Sequence, residues 1–297
     1  MRLTFSTDYR NLLADLTRNK EALAGYEQQV SSGKRIHAPG DDPLAAASSV
    51  DAHGRLGALD SYARSTDSTT SRLTITDSLL SDMISQLTSA KTTALGVRSS
   101  VATAGQRDAA ARALQAVKEN LVADLSTAYQ GTYIFSGAKI TTVPFTIANG
   151  TVSAYQGDTG SLTVDVDTHI AVPVTYNGNS ITRGADTQDV FAGIDGLITA
   201  LQNGDGAGID AGVAALDRAY IRTTQVQTAV GTSLNRLQGQ SSRLATVKQT
   251  VQSQISSLED ADLAEAITGL QRSQTAQDAT LRAIAIINQQ NLMDYLK

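Results

Sequence analysis

The sequence predicts a mainly α fold: a long antiparallel helical bundle, coiled-coil in part, formed by the N- and C-terminal halves, with a small antiparallel β domain inserted between them. Three observations predict it. Apolar residues recur at heptad spacing near both ends of the chain. Only 4 prolines interrupt 297 residues, so long helices can run. β-Branched and aromatic runs punctuated by Asn-Gly and Gly-Asp are confined to residues 131–183.

Taken in order, Phe5, Tyr9, Leu12, Leu16, Asn19, Leu23, Tyr26 and Val30 alternate four and three apart, the pattern of a seam that faces another helix. Asn19 is its one polar member, suited to fixing register. Gly33 suits a helix end, with Lys34 and Arg35 at the negative pole. Leu73, Leu80, Leu87, Ala94 and Val101 then recur every seventh residue, with Met83, Ala90 and Val97 between them; after Gly105, the positions Ala110, Leu114, Val117, Leu121 and Leu125 continue the seam. The spacing predicts two antiparallel helices with a short connection. In residues 131–183 turns are expected at Asn149-Gly150 and at Asn177-Gly178.

The longest periodic run goes from Ile209 to Leu258 behind a Gly-rich turn, NGDGAGID. It breaks at SSLEDAD, where Ser257 or Asp260 is the expected cap of the last helix. That helix repeats the seam through Leu263, Ile267, Leu270, Gln274, Gln277, Leu281, Ile284, Asn288, Asn291 and Tyr295. Three domains follow: residues 1–40 with 258–297, residues 41–130 with 184–257, and the insert at 131–183. Because four of the last seam's core positions are Gln or Asn, two terminal helices alone would bury too little apolar surface to offset chain entropy. The terminal domain is therefore expected to be disordered in the free subunit and to order among neighbouring copies.

Composition excludes several function classes. A formal charge of −5 without a basic run gives no footprint for nucleic acid. No stretch approaches the ~18 apolar residues of a membrane span. The start, MRLTFSTDYRNLL, lacks the apolar region of a cleavable secretory signal. With 0 Cys, thiol catalysis and Cys-ligated metals are impossible.

The stretch SSGKRIHAPGDDP has the look of a site, but Gly33-Lys34 lacks the upstream glycine of a phosphate loop. Its prolines and aspartates describe a helix–turn–helix corner. His37, His53 and His169 have no metal-ligand spacing, and the twelfth position counted from Asn203 is Ala214 where a calcium loop needs Glu. No G-x-S-x-G occurs, and Glu259-Asp260 falls on a predicted corner. No catalytic residue, cofactor or metal site is expected.

SSGKRIHAPGDDPLAAA resembles the N-terminal signature of the flagellin superfamily, in which a Ser-Gly-x-Arg-Ile stretch precedes paired aspartates. Gly33, Arg35, Ile36, Asp41, Asp42 and Pro43 carry the resemblance. The Asp-Asp-Pro ending is more similar to the hook–filament junction (FlgL) family than to filament flagellin, where Asp-Asp-Ala-Ala is usual. GTYIFSG at 131–137, VPF at 143–145 and YQGD at 155–158 resemble that family's entry into its β domain, and LEDADLAEAITGLQRSQTAQDATLRAIAIINQQNLMDYL resembles the shared helical tail. FSTDYR departs from the Ile-Asn-Thr-Asn start of filament flagellins.

The resemblance implies an extracellular structural subunit of the bacterial flagellum that leaves the cell unfolded through the flagellar type III channel, without a cleaved signal. It implies self-association into a short ring or helical layer between hook and filament. The neighbours would be a hook-associated junction protein on one side and flagellin on the other, with an export chaperone possible and no nucleic acid or membrane partner. Phe5, Tyr9, Leu12, Leu16, Leu23, Tyr26, Val30, Leu263, Ile267, Leu270, Leu281, Ile284 and Tyr295 are the expected subunit contacts. A short filament flagellin, or a module binding a surface or glycan through the β insert, are the alternatives.

Overall fold

The computed structural model describes the backbone of residues 2–99 and 102–295, and the side chains of 7, 10–99 and 102–286. Among these the element order is α1 (Arg2–Ser32), α2 (Pro43–Gly96), α3 (Ala104–Leu125), β1 (Ala128–Tyr129), β2 (Thr132–Tyr133), β3 (Ile147–Ala148), β4 (Thr151–Val152), β5 (Thr163–Asp167), β6 (Ile170–Pro173), α4 (Gly178–Thr182), α5 (Val190–Asn203), α6 (Gly206–Glu259) and α7 (Leu263–Tyr295). The chain divides into two compact units, Met1–Ala58 with Thr246–Lys297, and Leu59–Ala245.

In the first unit α1 packs along α7. The first turns of α2 and the last turns of α6 supply the buried Ala45, Ser49, Ala52, Val251 and Ile255. α2 starts as its sequence requires: Pro43 holds the first helical position, and the Asp42 carboxylate accepts from the Ala45 N–H at 3.0 Å. The cap of α7 differs from expectation. Asp262 does the work, accepting from the N–H groups of Ala264 at 2.9 Å and Glu265 at 3.2 Å. Ser257 still lies within α6, and the Asp260 carboxylate is engaged by Lys34 and Ser256.

The second unit is built on the expected seam. Leu73, Leu80, Met83, Leu87, Ala90 and Ala94 of α2 are buried with Leu114 and Leu121 of α3 and with Leu216, Val230 and Leu237 of α6; Val101 lies outside the described residues. A capping box, Thr103 with Gln106, starts α3. α2 begins thirty positions before Leu73, because its early inward positions are small or hydroxylated, as at Thr66 and Thr69. α5 was not among the expected helices, although Val190, Ile194, Leu197 and Leu201 keep the same four-three-four spacing. It buries Val190, Phe191, Ile194, Leu197 and Leu201, starts on the Asp189 cap and packs on α3.

Three separate two-stranded antiparallel hairpins, β1–β2, β3–β4 and β5–β6, occupy the centre of the chain where one β module was expected. The first of them starts at Ala128, ahead of the expected insert. Asn149-Gly150 is the turn of β3–β4, both residues at positive φ (52° and 76°). Asn177-Gly178 is not a strand turn. Asn177 caps α4 by accepting from the Asn179 N–H at 2.9 Å, since Asn serves turns and helix starts alike.

Strands this short bury little by themselves, and their side chains join the helical core instead. Ile134, Phe135, Phe145, Val166 and Val172 are buried in it, and the Phe145 ring lies 5.4 Å from those of both Tyr155 and Phe191. Cations on the helices collect the hairpins' carbonyls. Lys118 of α3, 2 % exposed, donates to Gly150 O at 2.6 Å and to the Asp195 carboxylate of α5. Arg72 of α2 donates to Val174 O and to the Thr132 hydroxyl, each at 2.6 Å. Burial beside these carbonyls pushes the Tyr155 phenol, bonded to Phe135 O, up to about 12.

Candidate functional site

Two features of the first unit bear on function, the corner at residues 31–43 and the terminal helix pair. The corner begins where Gly33, at φ 70°, turns the chain out of α1 with its N–H on Gln29 O at 2.8 Å; a side chain there would be strained. The next residues meet the far end of the sequence. Lys34 pairs with Asp260 as an antiparallel bridge: Arg35 N–H donates to Glu259 O, and Ala261 N–H donates to Gly33 O at 2.9 Å.

Side chains reinforce this. Lys34 Nζ is 2.6 Å from Asp260 Oδ1 and 3.3 Å from Glu259 Oε2, and Arg35 donates to Leu258 O at 2.9 Å and pairs with Asp42 at 3.2 Å. Asp41 accepts from the N–H groups of His37 and Ala38, both at 2.9 Å, closing the turn. Glu259 also takes the Ser49 hydroxyl and sits 2.7 Å from His53 Nε2.

Every one of these acidic groups is held below its ordinary value by donors: Asp41 by the Ala38 and His37 N–H groups, Asp42 by the Ala45 N–H and then Arg35, Glu259 by the Ser49 hydroxyl, then His53 and Lys34, Asp260 by Lys34 and then Ser256. Lys34 is raised, chiefly by its bond to Asp260. Such an arrangement ties carboxylates to donors and leaves none poised to transfer a proton. It is a clasp. Among the described residues, no three His, Asp or Glu side chains gather as a metal set, and no helix is long and apolar enough to cross a membrane.

The signature residues thus divide into roles. Gly33 turns, Arg35 and Asp42 pair, Asp41 closes the turn, Pro43 opens α2, and Ile36 is half-buried beside them. Ser49, His53 and Glu259 belong to the same clasp; from sequence His53 and Glu259 were weighed only as metal and acid–base candidates, and Ser49 was not singled out. Glu259 lies 210 residues from Ser49, and no local pattern announces such a partner.

In the helix pair, Leu12, Leu16, Leu23, Tyr26 and Val30 are half-buried, and no described side chain of α1 is fully buried. Asn19 reaches the Thr280 hydroxyl at 3.4 Å. Tyr26 lies against Gly269, where a Cβ would come 2.5 Å from its Cζ, so only glycine admits the ring. On α7 Ala266 is buried and Gly269, Leu270, Ser273, Ala276, Gln277, Thr280, Ala283 and Ile284 are half-buried, with Gly269 and Thr280 meeting Tyr26 and Asn19 of α1. The expected seam is therefore split. Leu270 and Ile284 turn inward, while Leu263, Ile267 and Leu281 stay 48 %, 44 % and 45 % exposed. The less exposed side of α7 is mostly small or polar, with Leu270 and Ile284 its larger apolar members. Leu44 and Val50, 81 % and 73 % exposed at the start of α2, add to this uncovered apolar surface. The side chains of Phe5, Tyr9 and Tyr295 lie outside the described residues.

The clasped pair of terminal helices belongs to one unit, and the helices with β-hairpins belong to the other. The sequence matches the bacterial flagellin N-terminal helical region over residues 6–140 and the C-terminal helical region over 213–296. The chain belongs to the bacterial flagellin family, in its hook-associated FlgL branch. It is 25 % identical over 306 residues to flagellar hook-associated protein 3 of Escherichia coli (strain K12), covering 95 % of this chain and 96 % of that protein. The fold is shared with a flagellar hook-associated protein of Vibrio parahaemolyticus (TM-score 0.70, 18 % identity, 74 % of this chain and 100 % of the other). Xanthomonas campestris FlgL is similar too (TM-score 0.61, 16 % identity, 69 % and 99 %). The protein is a structural component of the bacterial flagellum and not an enzyme.

Proposed function

We propose that this subunit forms the short layer joining hook to filament, and that its terminal domain, residues 1–40 with 258–297, orders as copies come together. The observation that carries the reading is the uncovered apolar surface of the helix pair: Leu263, Ile267 and Leu281 are close to half exposed. Removing such residues from water favours association by about 25 cal/mol per Å², and each copy presents the same stripe to its neighbours. Inside one chain the seam is made of small residues and half-buried leucines, a thin return on the entropy of ordering two long helices.

Leu12, Leu16, Leu23, Leu263, Ile267 and Leu281 are the contacts of this layer. A hook-associated protein lies on the hook side and flagellin on the filament side. The chain reaches that place unfolded, through the flagellar export channel, with a chaperone covering the apolar stripe beforehand. The middle unit folds without neighbours, and the clasp at residues 33–35 and 258–261 closes as the terminal domain orders.

Leu281→Asp tests this. Expressed in a strain lacking the wild-type gene, it should yield hooks without filaments and flagellin shed into the medium. The purified variant should keep the thermal unfolding of its middle unit. Normal filaments carrying the variant at their base would refute the contact surface.

A further inference from the structure

We propose that a pocket in the second unit, apart from the terminal helices, binds a carboxylate-bearing sugar. The pocket encloses about 370 Å³ between α2 and the hairpins β1–β2 and β5–β6. That lies at the small end of the ~300–1,000 Å³ typical of ligand sites.

Its α2 wall carries four hydroxyls. Nearby on α2, some hydroxyls turn back on the helix: Thr70 donates to Thr66 O, Ser71 to Asp67 O, Thr74 to Thr70 O and Thr76 to Arg72 O. The four that line the pocket, Ser61, Ser65, Ser68 and Thr69, have no such bond and no other partner among the described residues. Thr69 is only 3 % exposed as a residue, and its hydroxyl stands at the pocket wall without a protein partner.

The two cations of the pocket differ in the same way. Arg72 is committed: it donates to Val174 O and Thr132, and its guanidinium sits 6.0 Å from the Tyr129 ring centre. Burial lowers its pKa, as expected of a wall. Arg64 also lines the pocket and makes no ion pair among the described residues.

One free guanidinium takes one carboxylate through two parallel N–H bonds. Four hydroxyls, each both donor and acceptor, match a ligand that carries hydroxyls of its own. Val164, Val174 and the Tyr129 ring offer apolar surface to the C–H face of a sugar ring. A phosphate dianion calls for more positive charge than Arg64 alone supplies, and a neutral sugar would leave Arg64 idle. A hexuronate uses all three.

The test is titration of the full-length protein with glucuronate, glucose and inorganic phosphate, followed by calorimetry and by saturation-transfer NMR. Glucuronate is expected to bind about tenfold or more tightly than either of the others, and Arg64→Ala to weaken it by about tenfold, the scale of one lost charged contact. Arg64 is exposed on a helix, so the variant should keep the wild-type unfolding temperature; Arg112→Ala, outside the pocket, is the control and should bind normally. The proposal is overturned if glucuronate gives no signal, if glucose or phosphate binds as well, or if Arg64→Ala binds unchanged. None of these readouts depends on assembly, so they stand whether or not the subunit forms the junction layer.

Discussion

Gly269→Ala separates the two states proposed for the terminal helices, because its effect changes sign between them. In an unpaired helix, replacing an interior glycine by alanine gains about 1 kcal/mol. In the pair, the new methyl would lie 2.5 Å from Tyr26 Cζ, where carbon atoms need about 3.5–4 Å. The helices must separate by roughly 1 Å there or the ring must leave its rotamer, at a cost of about 1–3 kcal/mol. The variant is thus helix-favouring when the tails are free and neutral to ~2 kcal/mol unfavourable when they are joined.

Far-UV circular dichroism and amide exchange over residues 10–30 and 263–286 read the free subunit. Incorporation into flagella reads the assembled one. The expected result is equal or greater helicity in the free protein together with weakened incorporation, partly restored by Tyr26→Leu, which vacates the space. Lower helicity and lost protection in the free subunit would refute ordering on assembly, since the pair would already be closed in solution.

Two further outcomes concern the clasp and the core. Asp41, Asp42, Glu259 and Asp260 are all depressed, so their contribution is present above the ordinary carboxylate range and lost as pH falls through the lowered values, below about 4. Lys34 is raised, so its share persists below its ordinary ~10.4 and is lost as pH rises past that. Protection of the Arg35 and Ala261 amides, corrected for intrinsic exchange, should be flat from about pH 5 to 9; loss between 5 and 7 would contradict the donor set described. In the core, Asp195→Ala strands the buried Lys118 amine and should cost about 1–2 kcal/mol, moderated because Asp195 is itself half exposed. Lys118→Met, which removes the charge in a similar volume, should stay within about 1 kcal/mol. Urea unfolding of both compares them, and the reverse order would refute this account.

Helices α1, α3, α6 and α7 were legible because leucines and valines mark their inward faces at heptad spacing. The first thirty residues of α2 were not, because Ala45, Ser49, Ala52, Thr66 and Thr69 do the same job with small side chains that hydropathy does not register. α5 was legible in the same terms and was passed over: across its 14 residues Val190, Ile194, Leu197 and Leu201 keep the four-three-four spacing of the longer seams. Asn149-Gly150 was readable as a turn, whereas Asn177-Gly178 offered the same letters to a helix cap. In the corner, Gly33, Asp41, Asp42 and Pro43 could be assigned from local rules of turns and caps. Glu259 could not, since what it does depends on chain brought near only by the fold. The same limit applies to the last seam. Heptad counting selected Leu263, Ile267 and Leu281 as apolar positions, but which of two adjacent faces α1 would cover is settled by the fit of Tyr26 on Gly269.

The backbone rungs between Gly33 and Ala261 and between Arg35 and Glu259 have a bearing on how this chain tolerates change. They set the phase of everything beyond them. One residue inserted between Val30 and Gly33 would rotate α1 by about 100° against α7, swinging Tyr26 away from its glycine and Asn19 from Thr280 together. Point substitutions along the tails act one position at a time. A change in length at the clasp detunes the whole pair.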